Sequence, residues 1–87
     1  TLSPWSIFDL GAFVHAFLLA AHAAGLGAVP QAMPTGYPAI VREELGISED
    51  IAIILALSAG YPDLDAPVNG YRSLRRETVE FVRWIGF

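Results

Sequence analysis

Apolar residues dominate the chain from residue 8 to residue 30, where Asp9 is the only side chain charged at neutral pH. Their spacing places apolar side chains on nearly every side of a helix, and such a helix belongs in the middle of a protein or in a subunit interface. We expect Asp9 to serve as the N-cap or as a first-turn acid that suits the helix dipole. Gly25 or Gly27 is expected to end the helix, because glycine tolerates the left-handed C′ position.

The same stretch is long enough to span a membrane, since about 20 apolar residues cross the hydrocarbon. Three features disfavour a span: alanines dilute its hydropathy, His15 and His22 lie within it, and neither Lys nor Arg flanks it. We therefore expect a helix buried in protein and no membrane partner. The two histidines are seven residues apart rather than four, so no metal site is expected on this helix.

Three prolines and a glycine lie between residues 28 and 38, which predicts a loop without regular structure. A second, short helix is expected at 39–45, beginning near Thr35 or at Pro38, since proline suits a first helical turn. Gly46 is expected to end this helix.

The run at 51–58 is almost continuously apolar and begins with β-branched residues, which predicts a strand buried on both faces. The sequence contains no other convincing central strand, and an isolated strand does not persist. We therefore expect other polypeptide to complete the sheet, and a chain that begins at Thr1 is consistent with a missing N-terminal part. Residues 77–84 are expected to form a short helix or an extended arm.

Composition supports the expectation of a covered surface. Of the 87 residues, 54% are hydrophobic and only 16% are charged, although so small a domain has much surface to cover. The net charge is −4 and lysine is absent, so no broad basic surface for nucleic acid is expected. The absence of cysteine excludes disulfides and thiolate metal sites and suits the cytoplasm.

Two segments are candidates for ligand binding. Arg72 and Arg75 are three residues apart, and guanidinium groups bind phosphate oxygens in a bidentate manner. The alternative is a solvated face that pairs with Glu77 and Glu80.

The second candidate is the apolar loop from Pro30 to Pro38, in which Pro30, Gln31, Ala32 and Met33 are the candidate contacts. A rigid loop presents backbone N–H groups at fixed angles, Gln31 adds an amide and Met33 adds a soft apolar contact for a flat ligand. The alternative is an ordinary connection between two helices.

Several short motifs follow one another along nearly the whole chain. In order, they are Asp9-Leu10-Gly11, Leu18-Leu19-Ala20-Ala21, Gly25-Leu26-Gly27, Val29-Pro30-Gln31-Ala32-Met33, Arg42-Glu43-Glu44-Leu45-Gly46-Ile47, Gly60-Tyr61-Pro62-Asp63 and Asn69-Gly70-Tyr71-Arg72-Ser73-Leu74-Arg75. This ordered set resembles the FMN-dependent nitroreductase family. The resemblance implies an α+β fold, with residues 1–87 as the C-terminal portion of a single flavin domain that has a central buried helix, one core strand and an extended C-terminal arm.

The resemblance also implies a function. It implies a homodimer that buries FMN at its interface and uses NADH or NADPH to reduce nitroaromatic, quinone or similar acceptors by ping-pong hydride transfer. Residues 30–33 would contact the flavin ring, and Arg72 and Arg75 would neutralise the phosphate. The family's N-terminal arginine- and serine-rich motif and the first half of its sheet are absent here, so this chain alone is expected to be inactive. The alternative is a non-catalytic flavin-binding or dimerisation module.

Overall fold

The computed structural model describes residues 2–86, which form an α+β arrangement of two α-helices and one two-stranded antiparallel sheet. The predicted α+β class is thereby confirmed. The helices and strands are α1 (Pro4–Ala23), β1 (Gly27–Gln31), α2 (Pro38–Leu45) and β2 (Ala56–Gly60). Short 3-10 turns lie at Met33–Gly36, Pro67–Gly70 and Thr78–Glu80.

Helix α1 begins five residues before the predicted N-cap. Ser3 is the N-cap, its hydroxyl accepts a hydrogen bond from the Ser6 backbone N–H at 3.2 Å, and Pro4 occupies the first turn. The prediction of Asp9 as the N-cap or as a first-turn acid was therefore wrong, because Ser-Pro is a stronger start signal. The predicted end is confirmed: the helix stops at Ala23, and Gly25 adopts a positive φ of 79°.

The surface of α1 is largely uncovered by the rest of the chain. Ala21 is the only buried hydrophobic residue among those described, whereas Trp5 is 78% exposed and Phe8 and Phe13 are also exposed. By length and composition alone, α1 is apolar enough to cross a membrane. The expected burial of this helix stays a prediction, since it requires polypeptide outside this chain.

The sheet differs from the sequence prediction in two ways. β1 overlaps the segment at 28–38 that was predicted to be irregular, and β2 covers Ala56–Gly60, leaving residues 51–55 without a strand partner among the described residues. The strands pair in antiparallel register, with Gly27 opposite Gly60 and Gln31 opposite Ala56. Pro30 made β1 look irregular in the sequence, because proline cannot donate a ladder hydrogen bond. Proline is nevertheless tolerated on an edge strand at a position where no backbone N–H is needed for pairing. The idea of a single strand without a partner in this chain was therefore wrong.

Helix α2 is close to the prediction: it starts at Pro38, and Gly46 caps it in the left-handed conformation at φ 66°. Arg42 connects it to the loop that leads to β2. Its Nη1 donates hydrogen bonds to the backbone oxygens of Ser48 at 2.8 Å and Ile51 at 2.7 Å. In the same loop, the hydrogen bond from the Ser48 hydroxyl lowers the pKa of the Asp50 carboxyl.

Residues 2–86 do not close a core of their own. The radius of gyration of the chain is 17.2 Å, against about 12 Å for a compact domain of this length. Its accessible surface is 7925 Å², whereas a folded monomer of this mass exposes about 5000 Å². Beyond Gly70, the described residues form an extended arm interrupted only by the turn at Thr78–Glu80. Most of the apolar surface that we predicted to be buried by other polypeptide is therefore exposed in this chain.

Candidate functional site

An open cavity of about 620 Å³ lies where β1 ends and α2 begins. Three of the four loop residues predicted to contact a ligand line it, while Pro30 stays in β1 opposite Leu57 and does not. Of the remaining lining residues, Pro34 and Tyr37 belong to the predicted loop at 30–38 without having been assigned as contacts, and Ile40 and Val41 come from α2. The complete lining is Gln31, Ala32, Met33, Pro34, Tyr37, Ile40 and Val41. The walls are therefore mainly apolar, and Gln31 contributes an amide.

The turn after β1 fixes the backbone at the cavity edge. Thr35 donates to the carbonyl oxygen of Ala32 twice, from its backbone N–H at 2.9 Å and from its hydroxyl at 2.6 Å. Met33 begins the 3-10 turn, so its N–H has no acceptor within that turn, and the following Pro34 has no N–H. The Met33 side chain is 80% exposed. This edge thus carries the N–H of Met33 and its soft apolar side chain as possible contacts for a ligand.

Gln31 is held across the sheet by a residue that the sequence analysis missed. The hydroxyl of Ser58 on β2 donates a hydrogen bond of 2.7 Å to Oε1 of Gln31. Ser58 lies opposite Val29, so its side chain shares a face with Gln31 and reaches it diagonally. The sequence shows Ser58 only as a hydroxyl at the end of an apolar run. Its partner depends on the strand register, which the sequence does not reveal.

Arg72 lies in a second groove, at the opposite end of β1. This groove has a volume of about 330 Å³, and its polar lining residues are His22, Asn69 and Arg72. Gly27 also lines it, whereas the first cavity is lined by Gln31. The four-residue advance between them corresponds to roughly 13 Å along a strand. The structure therefore places the predicted ring-binding loop and Arg72 on the two ends of one strand rather than in one cavity.

Arg75 lies in the extended arm and is engaged locally. Its Nη1 donates to the Ser73 hydroxyl and to the backbone oxygen of Leu74 at 3.1 Å. Within residues 2–86, neither Arg72 nor Arg75 forms an ion pair with Glu77 or Glu80, so the alternative of a paired surface face is not observed. Arg72 thus lines a groove and has no ion-pair partner in the described part of the chain.

Comparison with known proteins identifies the fold. The model of the nitroreductase family matches residues 2–61, which is more than half of the chain. The chain is 29% identical over 86 residues to a 4-nitrobenzoate reductase of Pseudomonas putida, covering 99% of this chain and 38% of that protein. It is 38% identical over 78 residues to the nitroreductase NfnB of Mycolicibacterium smegmatis, covering 86% of this chain and 33% of the relative.

Solved structures agree with these matches. The crystal structure of the FMN-dependent nitroreductase NfnB from Mycobacterium smegmatis in complex with NADPH superposes with a TM-score of 0.92 at 33% identity, covering 98% of this chain and 38% of that one. An FMN- and NADPH-dependent NfnB from sphigopyxis sp. strain HMH gives a TM-score of 0.93 at 32% identity, covering 99% and 39%. The chain spans about a third to two fifths of the length of each of these proteins. In sequence and in fold, this chain belongs to the nitroreductase family.

Proposed function

We propose that the complete protein is an FMN-dependent oxidoreductase that takes hydride from NADPH or NADH and reduces nitroaromatic, quinone or similar acceptors in a ping-pong cycle. One observation carries this proposal: nearly the whole chain superposes on crystal structures of FMN- and NADPH-dependent nitroreductases. Reduction of 4-nitrobenzoate by the protein from Pseudomonas putida, as its name states, suggests a nitroaromatic as the first acceptor to test.

The cavity at the end of β1 has the chemistry that a flavin ring requires. Its apolar walls suit a flat aromatic system, and the Met33 N–H and the Gln31 amide offer donors for ring heteroatoms. We assign ring contacts to Gln31, Ala32 and Met33, while Pro30 supports them from within the strand. Bound FMN would supply the hydride chemistry, and the chain would orient the ring and exclude water from one side of it.

The groove at the other end of β1 fits the opposite end of the cofactor. FMN carries its phosphate on a sugar-alcohol chain, away from the ring, so the two binding features must be separated. Arg72 lines this groove together with His22 and Asn69. We assign phosphate binding to Arg72, because guanidinium groups form strong charge-assisted hydrogen bonds with phosphate oxygens. We propose that Arg75 also binds the phosphate once other polypeptide packs on the C-terminal arm.

The uncovered surface of the chain supports an assembled protein. The exposed aromatic side chains on α1 require apolar partners. Residues 51–55 lack a strand partner among the described residues and would be completed by a neighbouring strand. We propose that residues 1–87 are the C-terminal portion of one flavin domain, covered by the N-terminal part of the same protein and by a second subunit of a homodimer. The family model spans α1, which supports a helix buried in protein rather than a membrane anchor.

The experiment is a cofactor and turnover assay of the complete protein. We expect a yellow protein that oxidises NADPH or NADH when a nitroaromatic or a quinone is supplied, with parallel-line kinetics typical of a ping-pong cycle. A colourless protein that ignores added FMN contradicts the proposal. Bound flavin that neither nicotinamide reduces identifies a non-catalytic flavin module instead.

A further inference from the structure

The hydrogen bond between β2 and β1 fixes the orientation of one side chain at the cavity. Ser58 donates to Oε1 of Gln31 at 2.7 Å, so the amide oxygen of Gln31 is engaged toward the sheet. A glutamine amide has one oxygen and one NH₂ group on opposite sides, and fixing the oxygen fixes the donors. Gln31 also lines the cavity at the end of β1. The amide NH₂ is therefore the part of Gln31 available to a ligand.

The position of Ser58 makes this arrangement specific. Ser58 follows Leu57 in β2, and its hydroxyl is the only side-chain group of that strand that can form a hydrogen bond. It reaches Gln31 because the register places Ser58 opposite Val29. Both residues are exposed within this chain, where water competes with the bond. A ring seated in the cavity would exclude that water and strengthen the bond in a lower dielectric.

We propose that Ser58 is a positioning residue, whose hydroxyl holds Gln31 so that its amide NH₂ donates to an acceptor on the edge of the bound ring. The arrangement selects flat ligands with a carbonyl oxygen or an unprotonated ring nitrogen at this edge, and it disfavours rings that present a donor there. This inference rests on the proposed function, because FMN is the ring used to test it.

The test measures the dissociation constant of FMN for variants of the complete protein by fluorescence titration. Ser58→Ala is expected to weaken FMN binding about 2- to 13-fold, the loss of one ordinary hydrogen bond, and Ser58→Thr is expected to restore it. Gln31→Met removes the amide and is expected to weaken binding at least as much. In the Gln31→Met background, Ser58→Ala is expected to add less than about a twofold effect, because the group that it positions is gone.

Ser48→Ala is the matched control, since this exposed hydroxyl bonds to Asp50 and lines none of the cavities described above. Its FMN affinity should equal that of the wild type. If Ser58→Ala binds FMN with wild-type affinity, the inference is wrong while the proposed function stands. The same holds if Ser58→Ala weakens FMN binding equally in the wild-type and the Gln31→Met backgrounds. If Ser58→Ala does not fold, wild-type affinity in Gln31→Met overturns the inference. A wild-type protein that binds no FMN overturns both this inference and the proposed function.

Discussion

Replacing Arg42 with methionine tests how the loop before β2 is held. The Arg42 side chain is only 16% exposed, and its Nη1 donates to the backbone oxygens of Ser48 and Ile51 at 2.8 and 2.7 Å. A hydrogen bond from a charged group contributes about 1.5–3 kcal/mol. Because water can reach both exposed acceptors after the substitution, we expect Arg42→Met to lower the free energy of unfolding by about 2–3 kcal/mol in total.

The neighbouring ion pair provides a matched control. The Glu49 carboxylate lies 3.8 Å from Arg42 Nε and is 94% exposed, so solvent screens the pair. Glu49→Gln is therefore expected to cost less than about 0.5 kcal/mol.

Both variants are measured by urea denaturation of the complete protein, followed by tryptophan fluorescence, with and without excess FMN. An Arg42→Met protein within about 0.5 kcal/mol of the wild type refutes the assignment of the two backbone bonds. An equal loss in Glu49→Gln shows that the ion pair, rather than those bonds, provides the stability.

Three further predictions concern the cofactor and the helix. Arg72→Ala and Arg75→Ala should each weaken FMN binding by about 1.5–3 kcal/mol in calorimetric titrations, with Arg83→Ala as the control outside the groove; unchanged affinity contradicts the phosphate assignment. Phe17→Ala should destabilise the complete protein by about 3–5 kcal/mol, because α1 needs a cover although Phe17 is 38% exposed here; an unchanged melting temperature contradicts burial of this face. Gly25→Ala should cost about 1 kcal/mol at φ 79°, and a melting temperature at or above that of the wild type would show that this turn tolerates a side chain.

Local signals in the sequence located the parts of the fold that short-range chemistry determines. Pro38 and Gly46 define α2, and Gly25 defines the end of α1, because each acts within a single helical turn. The start of α1 was predicted wrongly because the continuous apolar stretch begins next to Asp9, whereas the N-cap, Ser3, lies several residues before that stretch.

Long-range pairing explains what the sequence could not locate. Gly27 and Gly60 are paired although 33 residues separate them, and no local pattern specifies that register. Pro30 lowers the strand propensity of residues 27–31, so β1 is recognised only from its pairing with β2. The contact between Ser58 and Gln31 depends on the same pairing. The cavity residues 31–33 and the loop that contains Tyr37 were predicted from the sequence, whereas Ile40 became a cavity residue only through the packing of α2.

The exposed edges of the two-stranded sheet make this polypeptide prone to aggregation before it is assembled. Each strand has one neighbour within the described residues, so the other edge of each strand exposes unpaired backbone N–H and C=O groups that another polypeptide can pair with. Pro30 interrupts the row of these groups on β1, because proline has no N–H, whereas β2 carries no such interruption between Ala56 and Gly60. A truncated or slowly assembled product would therefore aggregate first through β2, and the docking of further strands on this edge, as proposed above, would protect the protein against aggregation.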